Sequence, residues 1–406
     1  MDTLTADEAA ARLGVRKHTL YTYASRGLVR TVAEGRRRFY VEADVEALAV
    51  RAAAAGGHDA AASSSMDWGA PILESAITSI DVDGPNYRGV PAVTLAEQDV
   101  AFERVCELLW GAGRLPDEAS FAAADLGVDP DALRILVPPG TPPCTALAVA
   151  VAALAAADPH RHGVSDEVER AAWRVLIRRM AAAAALCGPR RRWRKRLDAA
   201  LVAPTVAGAL RAALGGPRRA DRWIGRMLVL CADHELNASS FAARIAAGTG
   251  SDALAAVGAA LAALSGPRHG GMSDRVDAVL EAVPTAQAAR AWVAERFRLG
   301  EEVPGYRHRL YPEGDPRAAS LLADAAAVDP DRVAGLLAVV REMEGRGHGP
   351  PVLDVGLVAL AAAAGLPRGS AAAIFAVGRT AGWLAHAHEQ RASGRMLRPR
   401  ARYVGP

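Results

Sequence analysis

The sequence predicts an all-α body preceded by a small helix-turn-helix unit. Three observations carry this. Of the 406 residues, 51% are hydrophobic but only 5% are aromatic. Ala, Leu and Val supply most of the apolar content, which favours close-packed helices over sandwiches. The first 56 residues read as two short helices joined by a tight Gly-containing turn. The length allows two or three domains with sizeable cores.

Residues 1–56 stand apart. Thr5-Ala-Asp-Glu8 is a capping box that starts a helix, and Gly14 ends it. A second helix is expected from Arg16 to Ser25, closed by Gly27. Val29–Val32 and Arg37–Val41 can pair across a Glu34-Gly35 turn as a hairpin wing, and Glu42–Ala55 gives a third helix. Residues 57–66 are rich in Gly, Ala and Ser and read as a flexible linker.

Net charge is +3, too small to imply nucleic acid for the chain as a whole. Only Lys17 and Lys195 are lysines, so arginine carries the positive charge; it holds carboxylates bidentately and keeps its proton. Cys106, Cys144, Cys187 and Cys231 show no CxxC spacing, which argues against a zinc site or a redox dithiol. Scattered cysteines fit a reduced, cytoplasmic protein. The apolar run Ala146–Ala157 is too short to span a bilayer and reads as a core helix. Arg190–Arg196 is the densest basic run; a solvated connector between helices is the simpler reading, nucleic acid or coenzyme phosphates the alternative.

The stretch Cys231–Val276 organises the body. His234 and His269 each lie in a polar or Gly-rich segment beside an alanine-rich helical pattern. Ser251 can cap the helix that Gly266-Pro267 ends, which leaves His269 on a turn where backbone can approach a ligand. Taken alone, two histidines on a helical hairpin also fit plain core packing. Further on, His308 follows a loop begun by Pro304-Gly305, and Asp315-Pro316 can cap a helix with Arg317 in its first turn. Asp354 stands just before an apolar helix, where a carboxylate is favoured even as a plain cap. Arg379 lies in a helical stretch near the C-terminus.

The strings ADHELNAS, GPRHGG, PGYRHRLYPEGDPR and PPVLDVG, with ILESAITSIDVDGPNYRGVPAVTLAEQDV upstream, resemble the citrate synthase family. The resemblance covers the chain from about Asp67. It implies a helical large domain over 67–270 and 366–406, a small helical domain over 271–365, and a cleft between them that closes on substrate. It implies condensation of acetyl-CoA or a related acyl-CoA with oxaloacetate, CoA being a co-substrate and no cofactor permanently bound. The catalytic set would be Asp354 as base, His269 on the thioester oxygen and His308 on the ketone. His234, Arg317 and Arg379 would bind the 2-oxo acid, and Arg398 would reach the neighbouring subunit's site in a homodimer.

Four positions depart from the family pattern. Arg268 replaces an apolar residue, Arg307 a common glycine, Pro312 a frequent basic residue, and Val352 an asparagine.

LTADEAAARLGVRKHTLYTYASRGL and GRRRFYVEADVEAL resemble the winged helix-turn-helix of excisionase and MerR-like proteins. That resemblance implies Arg16, Lys17, Thr19 and Tyr21 on a recognition helix and Arg36, Arg37 and Arg38 on a wing that meets duplex DNA. A small docking domain is the other reading. A DNA-binding regulator that senses a metabolite through the body is therefore the alternative to an enzyme.

Overall fold

In a computed structural model, the structure describes residues 3–26, 28–34, 37–46, 48, 73–159, 161–188, 191–399 and 405. The expected linker at 57–66, Gly27 and Arg36 lie outside the described residues. The chain divides into two compact units, Met1–Ser75 and Ala76–Pro406.

In the first unit the capping box forms as the sequence predicts. Thr5 Oγ1 accepts from the Glu8 N–H, and the Glu8 carboxylate accepts from the Thr5 N–H at 2.8 Å. The helix Ala6–Leu13 ends at Gly14 in the left-handed conformation. Lys17–Ser25 is the second helix, with Arg16 at its N-cap. The wing strands are Thr31–Glu34 and Arg37–Val41, so the first strand starts two residues later than expected. Thr3–Leu4 adds a third strand against Arg37–Val41. Residues 42–46 are helical. Ala9, Ala10, Leu20, Val29, Tyr40 and Val45 form a core of this unit's own.

The second unit is helical apart from a small antiparallel sheet of Thr78–Asp81, Gly84–Tyr87 and Val90–Pro91. Its axis is the helix Ser370–Ala392, rich in alanine and buried along almost its whole length. Ala220–Cys231, Ala238–Gly248 and Ala253–Leu264 pack on it. Small residues let these helices approach closely. Pro143–Ala157 is the expected core helix. Pro316–Val328, Pro330–Gly345 and Leu353–Ala363 form a further packed group.

Three local expectations need correction. Asp252, not Ser251, caps Ala253–Leu264, accepting from the Leu254 and Ala255 N–H groups; Ser251 instead donates to Ala246 O at 2.6 Å. Asp252 is the residue next to the helix, and its carboxylate Oδ1 reaches two orphan N–H groups at once. Asp354 lies inside the first turn of Leu353–Ala363, with Val352 at the N-cap, so it is not a cap. The basic run is solvated as expected, with Arg191, Arg192, Arg194 and Lys195 exposed, but it is a connector only in part: a helix starts at Trp193, and Arg194 pairs with Asp131 and Asp198. Among the described residues no helix is long and apolar enough to cross a membrane.

Candidate active site

The site is assembled where chain segments touch without side chains between them. After Ala220–Cys231 the chain turns through Asp233-His234-Glu235, with Glu235 at φ 53°. This turn presses onto Ser370–Ala392. The Gly382 N–H donates to Ala232 O at 3.0 Å, and a Cβ on Gly382 would stand 2.6 Å from that oxygen and 2.2 Å from Asp233 Oδ1. Only glycine fits there. Arg379, one turn earlier on the same helix, donates from Nε to Cys231 O at 2.6 Å.

A second junction joins the 304–308 loop to the segment before Asp354. The Val352 N–H donates to Gly305 O at 2.9 Å, and Tyr306 pairs with Pro351 as an isolated bridge. Gly305 has φ 92°, and a Cβ there would lie 2.4 Å from a Val355 methyl.

These junctions place His234, His269, His308, Arg317, Asp354 and Arg379 on one cavity of about 230 Å³. Arg268, Arg307 and Val352 also line it. Arg398 does not line it; it lies exposed on the C-terminal stretch.

The hydrogen bonds fix what each group offers. His308 Nδ1 accepts from the Leu310 N–H at 3.2 Å, so its proton sits on Nε2, free to donate. His269 Nε2 lies 2.8 Å from Ser239 Oγ. That hydroxyl has one proton, and two acceptors compete for it: His269 Nε2 and Asn237 Oδ1, the latter at 2.7 Å. Asn237 Oδ1 already accepts from the Ser239 and Ser240 N–H groups, both at 3.1 Å, while Trp383 Nε1 donates into Ser239 Oγ at 3.1 Å. The serine hydroxyl thus links Asn237 Oδ1 and His269 Nε2, and the tautomer of His269 follows from which of them takes its proton.

His234 Nε2 meets Tyr311 Oη at 2.9 Å. Tyr311 also stacks obliquely on His308 with centroids 4.9 Å apart and lies beneath the Arg317 guanidinium.

Burial favours the neutral form of all three imidazoles. Burial, and then the Arg317 and Arg379 charges, hold His234 well below the usual histidine range. Burial, then Arg379, lowers His269 to about 4. Burial also lowers His308. Arg317 is buried and grips Asp315 with Nε at 3.0 Å and Nη2 at 2.8 Å. Its Nη1 has no partner among the described residues, an orphan donor of the kind a ligand carboxylate satisfies. Asp354 is the reverse case. Burial raises its carboxyl to about 6 although Ser273 Oγ donates to Oδ1 at 2.6 Å. A carboxylate poised near neutrality, facing neutral hydrogen-bond donors, is suited to taking a proton from carbon.

Residues 65–400 match the family described as "Citrate synthase, C-terminal domain". The chain belongs to the citrate synthase family. Residues 3–50 match "Helix-turn-helix domain". The 2-methylcitrate synthase of Mycobacterium tuberculosis is 31% identical over 340 residues, covering 79% of this chain and 84% of that protein. The putative citrate synthase 2 of Mycobacterium tuberculosis is 40% identical over 185 residues. Citrate synthase 2 of Bacillus subtilis is 33% identical over 192 residues. In both of these the match spans only 50% of the relative's length. Among solved structures, citrate synthase from Thermotoga maritima shares 26% identity and a TM-score of 0.68 over 83% of this chain and 94% of its own. Citrate synthase of Thermoplasma acidophilum, solved with carboxymethyl coenzyme A and oxaloacetate, has the same fold at 24% identity, with a TM-score of 0.71 over 85% and 96%.

Sequence reading missed four citrate synthase-domain residues that orient the site: Ser239, Ser273, Tyr311 and Asn237. Their strings were in view, but their partners stand up to 144 positions away. In the first unit, Arg16 and Arg38 are exposed and Tyr21 is 50% exposed. Thr19 is half-buried, with Oγ1 3.3 Å from the His18 ring. Arg37 is placed in its strand by backbone pairing with Glu34. Lys17 is paired with Asp7 at 2.6 Å, so part of its charge is met within the unit.

Proposed function

We propose that the chain condenses an acyl-CoA with a 2-oxo dicarboxylic acid, oxaloacetate with acetyl-CoA or propionyl-CoA being the first pair to test. The observation that supports this best is the single cavity that unites a carboxylate raised to about 6 with three neutral histidines and two buried arginines. Arg317 Nη1 and Arg379 would hold the two carboxylates, with His234 beside them. Asp354 would take the proton from the carbon next to the thioester, while His269, in the tautomer whose Nε2 accepts from Ser239, would hold the thioester oxygen through Nδ1–H as negative charge develops on it. The enol carbon would attack the ketone, and His308 Nε2–H would deliver its proton to the ketone oxygen as the bond forms. Water would then cleave the thioester and release CoA.

Residues 67–270 with 366–406 would form a large domain and 271–365 a small one, closing on the substrates and excluding water. We further infer a homodimer in which Arg398 reaches the partner's site. The helix Ala253–Leu264 supports an apolar interface: it has no polar side chain, yet Ala255 and Ala262 are exposed. The test of the activity is thiol release from a panel of acyl-CoAs with oxaloacetate. No release from any pair would sink it.

For the first unit, duplex DNA is the second reading. It is favoured by exposed Arg16, Tyr21 and Arg38 on a helix-turn-helix with a wing. Binding is expected to weaken steeply between low and moderate salt, because arginines displace counterions from phosphates. Replacing Arg36, Arg37 and Arg38 together should weaken all sequences alike, whereas changes at Arg16, Lys17, Thr19 or Tyr21 should alter preference. An anisotropy titration against genomic fragments reads both effects. Absence of binding at low salt would leave a docking module.

A further inference from the structure

Two arginines on the cavity are not used by the reaction just described. Arg268 sits on the turn before His269, and Arg307 on the loop before His308. Both are exposed, whereas Arg317 and Arg379 are buried, so they mark the open end of the cavity. Among the described residues no carboxylate pairs with either. Arg307 has only a long approach, 3.5 Å from Nη2 to His348 Nδ1. His348 is itself stacked on Phe297 with centroids 4.7 Å apart, so it props the guanidinium without neutralising it.

The backbone at Arg307 is the second observation. Its φ is 68°, the left-handed region that a residue with a Cβ enters at a cost and that glycine enters freely. A strained residue at a cavity wall points to a ligand that rewards its side chain.

We propose that Arg268 and Arg307 form a second anion subsite, and that the thioester substrate carries a carboxylate into it at the far end of its acyl chain. This rests on the condensation reading above. Two carboxylates of the 2-oxo acid are met by Arg317 and Arg379, so a further pair of unpaired cations calls for a further anion. The coenzyme's phosphates are the competing occupant, and the comparison of a charged with an uncharged acyl chain on the same coenzyme separates the two.

With a succinyl thioester the chemistry balances as before. Asp354 takes a proton from the carbon next to the thioester, and that carbon bonds to the keto carbon. The keto oxygen gains a proton from His308. Water cleaves the thioester to free CoA and a tetracarboxylic acid.

The test compares succinyl-CoA with butyryl-CoA, its uncharged counterpart, in the full-length protein and in Arg268→Gln, Arg307→Gly and the double variant. The wild type is expected to favour succinyl-CoA at least tenfold in kcat/KM. The double variant should reduce that ratio at least tenfold. Arg307→Gly should hold or raise the thermal midpoint while lowering the ratio, which separates ligand loss from misfolding. A wild-type preference for butyryl-CoA overturns the proposal. So does an equal loss for both thioesters, which would assign the arginines to the coenzyme. Calorimetric binding of the same two thioesters gives a readout without turnover. Binding selectivity that the double variant abolishes, with no thiol release, would keep the subsite and reject the condensation reading; no selectivity would reject the subsite.

Discussion

Asp354→Asn is expected to lower turnover at least about a hundredfold and to make the protein more stable at neutral pH. The first effect follows from loss of the base with size and polarity kept. The second follows from the cost of burying the charge. Burial raises the carboxyl from 3.8 to about 6 in the folded chain. Below 3.8 the group is protonated in both folded and unfolded chains and contributes nothing. Above about 6 it is ionised in both, and the folded state carries the penalty in full. Roughly two units correspond to about 3 kcal/mol, an order of magnitude that asparagine removes. Denaturant unfolding at pH 8 should favour the variant, and the gap should close by pH 4. The wild-type rate should fall as pH drops through about 6, since His269 at about 4 does not titrate there. Near-normal turnover in the variant would reduce Asp354 to a structural residue.

Arg317→Ala should abolish 2-oxo acid binding and also destabilise the fold, by about 3–5 kcal/mol, because it strands a buried carboxylate. Asp315 is 2% exposed and depends on the Arg317 fork. Arg317→Lys separates the two effects. It restores a positive charge next to Asp315 but cannot reproduce the bidentate geometry, so the fold should largely recover while affinity for oxaloacetate stays at least about tenfold weak. Full affinity in the lysine variant would remove Arg317 from the binding site. The same variant tests the shared site. Mixed under subunit exchange with Arg398→Ala, it should regain about a quarter of wild-type activity, since half the dimers then hold one intact site. No recovery would place Arg398 in its own subunit's site or outside catalysis.

The helical body and the small N-terminal unit were legible because local signals specify them. The Thr5–Glu8 box, Gly14 and Asp315-Pro316 act through neighbours in sequence, and each forms as read. The residues now on one cavity were legible through short strings that resemble a known family. What could not be read was orientation. Which imidazole nitrogen holds the proton depends on Ser239 for His269, 30 positions away, and on Tyr311 for His234, 77 positions away. The misplacement of the cap at Ser251 has a similar cause: Ser251 and Asp252 are both good cap residues, and only the path of the chain decides between them. The left-handed backbone at Arg307 could be read only through the glycine common at that place in the family pattern, because arginine itself contradicts local preference.

The contact at Gly382 divides the molecule into parts that can and cannot be redesigned. The turn bearing His234 rests on bare backbone, with no room for even a methyl group. A residue changed there would pry apart the turn and the helix that carries Arg379, so the His234 and Arg379 side of the cavity is bound up with the core's own geometry. Arg268 and Arg307 are exposed at the mouth of the same cavity, and among the described residues no carboxylate pairs with either. An engineer seeking new acyl partners would therefore leave the floor of the cavity untouched and diversify its rim, where a substitution changes what is admitted without disturbing what is built.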